Sequence, residues 1–152
     1  AELAAFCTGS WATSAETDAG SGSWEVAACR CLQDLEILEL DWLALLKQWE
    51  QAPELPGFAP QDPEKLERIA VYFAFRYLLK AVNDGDLLGR AQFCALGVLV
   101  TDRLSRFVGL PEALRLFSRE IEHDEDNLDT LLEQFWQTEG LSLSALLAAF
   151  GG

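Results

Sequence analysis

Two apolar stretches decide the fold of this chain: IAVYFAFRYLL at residues 69–79 and AQFCALGVLV at residues 91–100. Arg76 is the one charged residue within them. A helix that is apolar on nearly every side is buried among other helices, so both stretches predict central helices of a core. The chain lacks the alternation of apolar and polar residues that is typical of strands. We therefore predict an all-α fold, an antiparallel bundle of about five helices.

Turn and cap signals place the ends of these helices. Asp62 is suited to cap the second helix, and Pro63 is suited to its first position. Gly97 costs about 1 kcal/mol relative to alanine inside a helix, which a close approach of a neighbouring helix would explain. The fourth helix is expected to bend near His123, and Ser142 to cap the last helix. The predicted helices cover residues 24–49, 63–82, 86–107, 111–136 and 142–150.

The first part of the chain differs in composition from the rest. Residues 1–23 are small, polar and rich in Gly and Ser, which is typical of a flexible lead-in or linker. Phe6 and Trp11 are the side chains that would attach it to the body. Residues 24–152 are expected to form one helical domain, a length sufficient for a core of its own.

The charge of the chain bounds its partners. Asp and Glu number 25 and Lys and Arg number 11, so the formal net charge at pH 7 is -14. Such a surface repels phosphate backbones and anionic lipid, which disfavours nucleic acid and membrane as partners. No apolar run has the length of a membrane span, and the first residues lack the basic flank of a signal peptide. We expect a soluble, cytoplasmic protein, and a basic or lysine-bearing protein is compatible with its charge.

The densest polar segment is SREIEHDEDNLD, residues 118–129. Glu120 and His123 stand three residues apart, and Glu-x-x-His is the ligand unit of di-iron carboxylate bundles. That site needs a second such unit, and the chain has a single histidine, so it cannot form within one chain. Three alternatives remain open: a mononuclear site with one more carboxylate, a homodimer that joins two Glu120/His123 pairs at a two-fold axis, and a structural or surface histidine.

Residues 120–133 hold seven acids and no lysine or arginine. One interpretation is structural: these acids neutralise the cations of the second and third helices, because an isolated buried charge is very costly. The cations concerned are Arg76, Lys80, Arg90, Arg103 and Arg106. The other interpretation is functional: an acidic face receives a cationic protein segment. The acids expected to steer such a segment are Glu122, Asp124, Glu125 and Asp126.

The cysteines do not form a recognisable metal-binding pattern. Cys29 and Cys31 make one C-x-C pair, which could bind a metal only with ligands from elsewhere. Cys94 is expected to be a buried core residue. No metal ligand set and no complete catalytic site are predicted within this chain.

Three stretches together resemble the C-terminal helical region of flagellin lysine-N-methylase-type proteins: residues 29–46, 67–104 and 116–135. The resemblance implies a protein that transfers methyl groups to lysines of flagellin. It also implies an iron–sulfur or metal centre in a cysteine-rich N-terminal module, which this chain lacks. The chain would then be a helical accessory or substrate-positioning region that is not active alone. The residues that match the shared motif are Arg119, Glu120, Glu122, His123 and Asn127. The alternative is an acidic protein-interaction or scaffolding domain without enzymatic activity.

Overall fold

The structure, a computed structural model, describes residues 24–52 and 60–151. Every regular element in these residues is helical, which confirms the predicted all-α fold. The α-helices of the described ranges are α1 Trp24–Asp34, α2 Leu40–Gln51, α3 Pro63–Phe73, α4 Ala81–Asp84, α5 Leu87–Val108, α6 Leu110–Phe117, α7 Glu125–Gln137 and α8 Leu143–Gly151. Two π-helical turns, Ala74–Leu78 and Ser118–Glu122, continue α3 and α6, and a 3₁₀ turn, Glu139–Leu141, precedes α8. The predicted lead-in of residues 1–23 lies outside the described residues.

Helix α5 is the centre of the fold. It contacts α2, α3, α6, α7, α8 and the first π-helical turn. Residues 92–105 are buried on every side of the helix, as the apolar stretch predicts. Its start is fixed by Asp86, whose carboxylate accepts a hydrogen bond from the Gly89 N–H at 2.9 Å. Gly109 ends it with a φ of 82°, a conformation that favours glycine.

Aromatic rings join the surrounding helices to α5. The ring of Phe73 on α3 meets the ring of Phe117 on α6 edge to face, with centroids 5.8 Å apart. Tyr77 packs edge to face on Phe93 of α5 at 4.6 Å, and Trp42 of α2 does so on Phe117 at 6.4 Å. Pairs in this geometry contribute about 0.5–1.5 kcal/mol each beyond the area they bury. The cluster therefore fixes how α2, α3 and α6 sit around the central helix.

The first predicted helix, residues 24–49, is wrong as a single element. The structure divides it into α1 and α2, and residues 35–39 form a connection whose last residue, Glu39, is extended with φ -121° and ψ 135°. Leucines at positions 32, 35 and 38 continue the spacing of a helix, which is why the pattern predicts no break. The physical reason for the break is a set of hydrogen bonds from this connection to Glu120 and Asn127.

The second predicted helix differs from its expectation in burial and in regularity. Phe73 and Tyr77 are buried, but Val71, Phe75 and Leu79 are exposed, and 71% of the Phe75 surface is accessible. The prediction that residues 69–79 are buried all round is therefore wrong. The neighbouring elements cover one side of α3, and an apolar side faces outward.

Other signals in the sequence are confirmed. Asp62 caps α3 by accepting a hydrogen bond from the Lys65 N–H at 3.1 Å, and Pro63 is the first residue of that helix. The fourth predicted helix does bend at His123, where the second π-helical turn ends and Asp124 begins a new cap. Ser142 caps α8 through a hydrogen bond from the Ala145 N–H at 3.2 Å. Among the described helices, none combines the length and apolarity needed to cross a bilayer.

Gly97 marks a close approach between α5 and α3. A Cβ at this position would lie 3.1 Å from two carbons of the Phe73 ring. That is shorter than ordinary van der Waals contact, and the ring is held by other aromatic side chains. The prediction of a close approach is confirmed.

Gly97→Ala is expected to lower the free energy of unfolding by about 1 kcal/mol, because crowding of Phe73 exceeds the gain in helix propensity. The measurement is urea unfolding followed by circular dichroism. In a Phe73→Leu background, where the crowding is relieved, the same alanine should raise stability. A Gly97→Ala protein that is more stable than the parent would contradict the proposed contact.

Candidate functional site

The residues that match the motif lie close together in the chain, on the second π-helical turn and the start of α7. Arg119, Glu120 and Glu122 belong to the turn, His123 follows it, and Asn127 lies in the first turns of α7. π-helical turns are rare and frequently occur at functional sites, so this segment is a candidate functional site. The side chains of this segment, however, contact different parts of the fold.

Glu120 and Asn127 hold the connection between α1 and α2, an arrangement that we call the latch. The Glu120 carboxylate is fully buried and accepts hydrogen bonds from the N–H groups of Leu38, at 2.9 Å, and Glu39, at 2.6 Å. The Asn127 amide accepts from the Glu36 N–H at 3.0 Å. It also donates to the carbonyl oxygens of Glu36 and Glu120, both at 2.9 Å. The latch therefore joins two parts of the chain that are far apart in sequence.

The charge of Glu120 is matched by the end of a helix. Leu38 and Glu39 directly precede the first turn of α2, where backbone N–H groups have no partner within the helix. A carboxylate at a helix N-terminus is also favoured by the helix dipole. A buried carboxylate without hydrogen bonds would be very costly, so these contacts explain why Glu120 is tolerated in the core. Its role in the structure is to support the fold.

Arg119 forms the outer edge of the latch. Its Nε lies 2.6 Å from the Glu39 carboxylate, and Arg115 lies 3.3 Å from the same group. The Arg119 side chain is 63% exposed, and ion pairs at that exposure contribute little to stability. Arg119 therefore closes the latch from outside without being essential to it.

Glu122 lies in a separate cluster with two tyrosines. Its carboxylate side chain is 4% exposed. One of its oxygens accepts hydrogen bonds from the hydroxyls of Tyr77, at 2.7 Å, and Tyr72, at 3.1 Å. The Arg76 Nε lies 3.9 Å from the same oxygen, and its guanidinium lies 5.9 Å and 5.8 Å from the centroids of the two tyrosine rings. The two π-helical turns meet here, since Arg76 and Tyr77 belong to the first and Glu122 to the second.

The cluster keeps both phenols protonated. Burial, followed by the hydrogen bond and the charge of Glu122, raises the pKa of Tyr77 above its ordinary value of about 10. Burial and the Glu122 charge also raise the pKa of Tyr72. Neutral phenols donate to the carboxylate, so the cluster is a stable joint between α3 and the second π-helical turn. It does not contain an activated base.

His123 does not combine with Glu120. The histidine is exposed, whereas Glu120 is fully buried with both carboxylate oxygens engaged by the latch. The pair therefore does not offer two ligands to one ion, either within a chain or to a second copy. Within residues 24–52 and 60–151 there is no group of three or more His, Cys, Asp or Glu that could hold a metal.

The described cysteines are separate, buried thiols. Cys29 donates to the carbonyl of Leu46, Cys94 donates to the carbonyl of Phe73, and Cys31 contacts Gln134. Burial raises the pKa of all three thiols, and metal binding requires the thiolate. The metal centre implied by the family resemblance does not fit these residues.

The expected match between the acids of residues 120–133 and the cations of the central helices is mostly wrong. Arg90 pairs with Asp84 at 2.7 Å, and Arg103 pairs with Glu25 at 2.6 Å. The contact between Arg76 and Glu122, at 3.9 Å, follows the expectation and is loose. Helix α1 and the short helix α4 supply the partners that the sequence pattern did not predict.

The acids that remain lie on the outer face of α7. Helical spacing places four exposed carboxylates and one exposed tryptophan on this face. The residues of this outer face are Glu125, Asp126, Asp129, Glu133 and Trp136. None of the four acids forms an ion pair with a described residue, and 71% of the Trp136 surface is accessible. Of the acids predicted to steer a partner, Glu125 and Asp126 are available, whereas Glu122 and Asp124 are used inside the fold.

A second exposed surface follows α3, the first π-helical turn and α4. We call it the ridge, and its residues are Val71, Phe75, Leu79 and Val82, the last of which is 86% exposed. Beside it lies an open groove of about 680 Å³. The groove is lined by Glu64, Glu67, Arg68, Val71, Tyr72 and Phe75. Exposed apolar surface of this kind is typical of protein–protein interaction sites.

Sequence reasoning missed Trp136 and the ridge as candidate functional residues. For Trp136 a signal exists, since it shares a helical face with Glu125, Asp129 and Glu133. For the ridge there is none, because an apolar residue at helical spacing is first expected in the core. In the comparisons with known proteins, no family model, curated protein or solved structure matches this chain.

Glu120→Gln is expected to lower the free energy of unfolding by about 1–3 kcal/mol, because glutamine leaves one latch N–H without an acceptor. His123→Ala should change it by less than about 0.5 kcal/mol, since the side chain is exposed. Chemical denaturation measures both, and Glu125→Gln is the matched exposed control. Equal stability of Glu120→Gln and Glu125→Gln would contradict the latch.

Glu122→Gln is expected to lower the pH at which the two tyrosines ionise. The chain contains only Tyr72 and Tyr77, so absorbance near 295 nm during an alkaline titration reports them directly. Because their pKa values are raised in the folded state, their contribution to stability is complete below about pH 10 and is lost as the pH rises further. The stability lost between about pH 10 and higher pH should therefore be smaller in Glu122→Gln, because the tyrosine pKa values of its folded state lie closer to the ordinary value. An unchanged tyrosine titration would show that Glu122 does not affect the phenols.

Proposed function

We propose that this domain is the helical substrate-positioning region of a protein lysine methylase of the resembled type. In this proposal the outer face of α7 receives a basic, lysine-bearing segment of a protein such as flagellin. The observation that carries it is the set of four exposed carboxylates beside exposed Trp136, without a cation of the described chain among them.

The chemistry of the face suits a lysine. A carboxylate attracts the ammonium group, and the face of an indole ring attracts it through a cation–π contact of about 0.5–1 kcal/mol at exposed sites. The aliphatic stem of lysine also covers apolar surface well. The formal charge of -14 adds a long-range attraction that raises the rate of encounter with a basic partner.

The interior of the domain supports a positioning role. The latch fixes α7 to the connection between α1 and α2, and the tyrosine cluster fixes the preceding π-helical turn to α3. A docking face on such a framework holds its partner in a defined orientation. The chain's described cysteines are free thiols, which is compatible with the cytoplasm as the proposed compartment.

The second candidate is an acidic interaction or scaffolding domain that takes no part in methylation. It is favoured by the roles of the motif residues, since Glu120 and Asn127 support the fold and Glu122 supports the tyrosine joint. Both candidates use the same outer face, so they differ only in what happens after the partner docks.

Binding of a labelled lysine-bearing flagellin peptide tests the docking face. Neutralising Asp126, Asp129 and Glu133 together, as Asn, Asn and Gln, should weaken binding by about tenfold, since three exposed charges contribute modestly each. Binding of the parent chain should also weaken with salt. Fluorescence anisotropy at several salt concentrations measures both effects.

Two controls make this result specific. The triple variant Asp34→Asn, Asp41→Asn and Glu50→Gln removes the same net charge from exposed positions elsewhere and should bind almost normally. A peptide with glutamine in place of lysine should bind weakly to every variant. Equal losses for the two triple variants, or equal binding of the two peptides, would overturn the proposed docking face.

Methylation in the cell separates the two candidates. With the α7 triple variant encoded at the native locus, mass spectrometry should find lower lysine methylation of the bound protein, while the control triple variant leaves it unchanged. If peptide binding depends on α7 but methylation does not, the second candidate is correct.

A further inference from the structure

We infer that the ridge of one copy binds the outer face of α7 of a second copy, so that the chain associates head to tail. This inference rests on the exposed surfaces of the structure and not on the proposed function. The ridge and the outer face of α7 have complementary chemistry. In the assembly, each surface would cover apolar side chains of the other that are exposed in a single copy.

Three cations of the described chain border the ridge, and two exposed acids, Glu64 and Glu67, line the groove at its α3 end. Arg68 and Lys80 are exposed beside it, and the Arg76 side chain is 39% exposed. Arg76 and Lys80 both lie over the ring of Tyr77, where Glu122 is the nearby carboxylate and is already bonded to two phenols. Apolar side chains bordered by cations favour a partner that offers an apolar anchor bordered by acids.

The outer face of α7 is such a partner. Its four acids extend from Glu125 to Glu133, and Trp136 ends it. From Glu125 to Trp136 the face is about 16 Å long, and from Arg68 to Lys80 the cationic row is about 18 Å long, at 1.5 Å per residue. An antiparallel arrangement of the two helices places Trp136 at the groove beside Val71.

The same arrangement places the acids opposite the cations. With Trp136 beside Val71, Asp129 and Asp126 lie opposite positions 78 and 81, within two residues of Arg76 and Lys80. Aromatic residues in a groove are the usual anchors of an interface, and the charge pairs set the orientation. A membrane surface is a poorer occupant, because anionic lipid is repelled by the net charge of -14.

Head-to-tail contact has a consequence for the size of the assembly. Each copy uses the ridge on one side and α7 on the other, so association continues into rings or chains unless a surface is blocked. It also covers the outer face of α7, so a basic protein that binds there should compete with assembly.

Sedimentation velocity of the full chain, without any partner, tests the inference. We expect the mass to increase with protein concentration and the association to weaken with salt. Trp136→Ser and, separately, Phe75→Ser should each lower the association constant by about twentyfold or more, which is typical of aromatic anchors. Leu40→Ser, at an 82% exposed leucine on α2, is the control and should associate normally.

Mixing the two variants identifies the geometry. Trp136→Ser keeps its ridge and Phe75→Ser keeps its α7 face, so the mixture should form a one-to-one heterodimer that grows no further. Lys80→Glu should also weaken association, and Asp126→Lys in the second copy should restore it. Far-UV circular dichroism confirms that each variant is folded.

Three results would overturn the inference. They are a parent chain that stays monomeric at the highest concentration it tolerates, a Trp136→Ser protein that still forms dimers by itself, and a mixture of the two variants that does not associate. Peptide binding that fails at protein concentrations at which the parent chain is monomeric would overturn the proposed function alone.

Discussion

The buried carboxylate of Glu120 is the constraint on which the arrangement of this domain depends. A charge with no exposed surface requires hydrogen bonds of its own, and here the donors are the backbone N–H groups of Leu38 and Glu39. Those donors are free only because α1 has ended and α2 has not yet begun. The break between the two helices and the burial of Glu120 therefore require each other. Asn127 completes the arrangement by bonding both polar groups of the Glu36 backbone.

The two π-helical turns adapt the helices to these contacts. A π-helical turn adds a residue to the helical repeat and so rotates the side chains that follow it. The second turn includes both Glu120 and Glu122, which serve the latch and the tyrosine cluster on different sides of the helix. The first turn places Tyr77 in the core beside Phe93 while Phe75 faces outward. The same irregularity thus forms the joint between the two helices and leaves the ridge exposed.

What the sequence predicts here depends on how far apart the interacting residues are. The central helix, the caps at Asp62 and Ser142 and the bend at His123 follow from local patterns. The break before α2 does not, because it depends on residues more than 80 positions away in the chain. The burial of α3 was wrong for a related reason: periodicity identifies an apolar side but not whether another element covers it. For the candidate site, the pattern selected five residues between positions 119 and 127, of which Glu120, Glu122 and Asn127 make contacts within the fold. The pattern could not distinguish such support of the fold from contact with a partner.

Residues that match a family motif can be needed for the fold and have no part in catalysis or binding. In the segment from Ser118 to Asn127, Glu120 and Asn127 form the latch, and Glu122 joins two helices. These roles account for three of the five residues carried over from the proposed resemblance to the lysine methylases. Function is therefore better sought on the two surfaces that the fold does not require, which are the outer face of α7 and the ridge. Exposed carboxylates beside a tryptophan, and exposed apolar side chains beside arginines, contribute little to the stability of a lone chain, so the proposals on docking and assembly rest on these two surfaces.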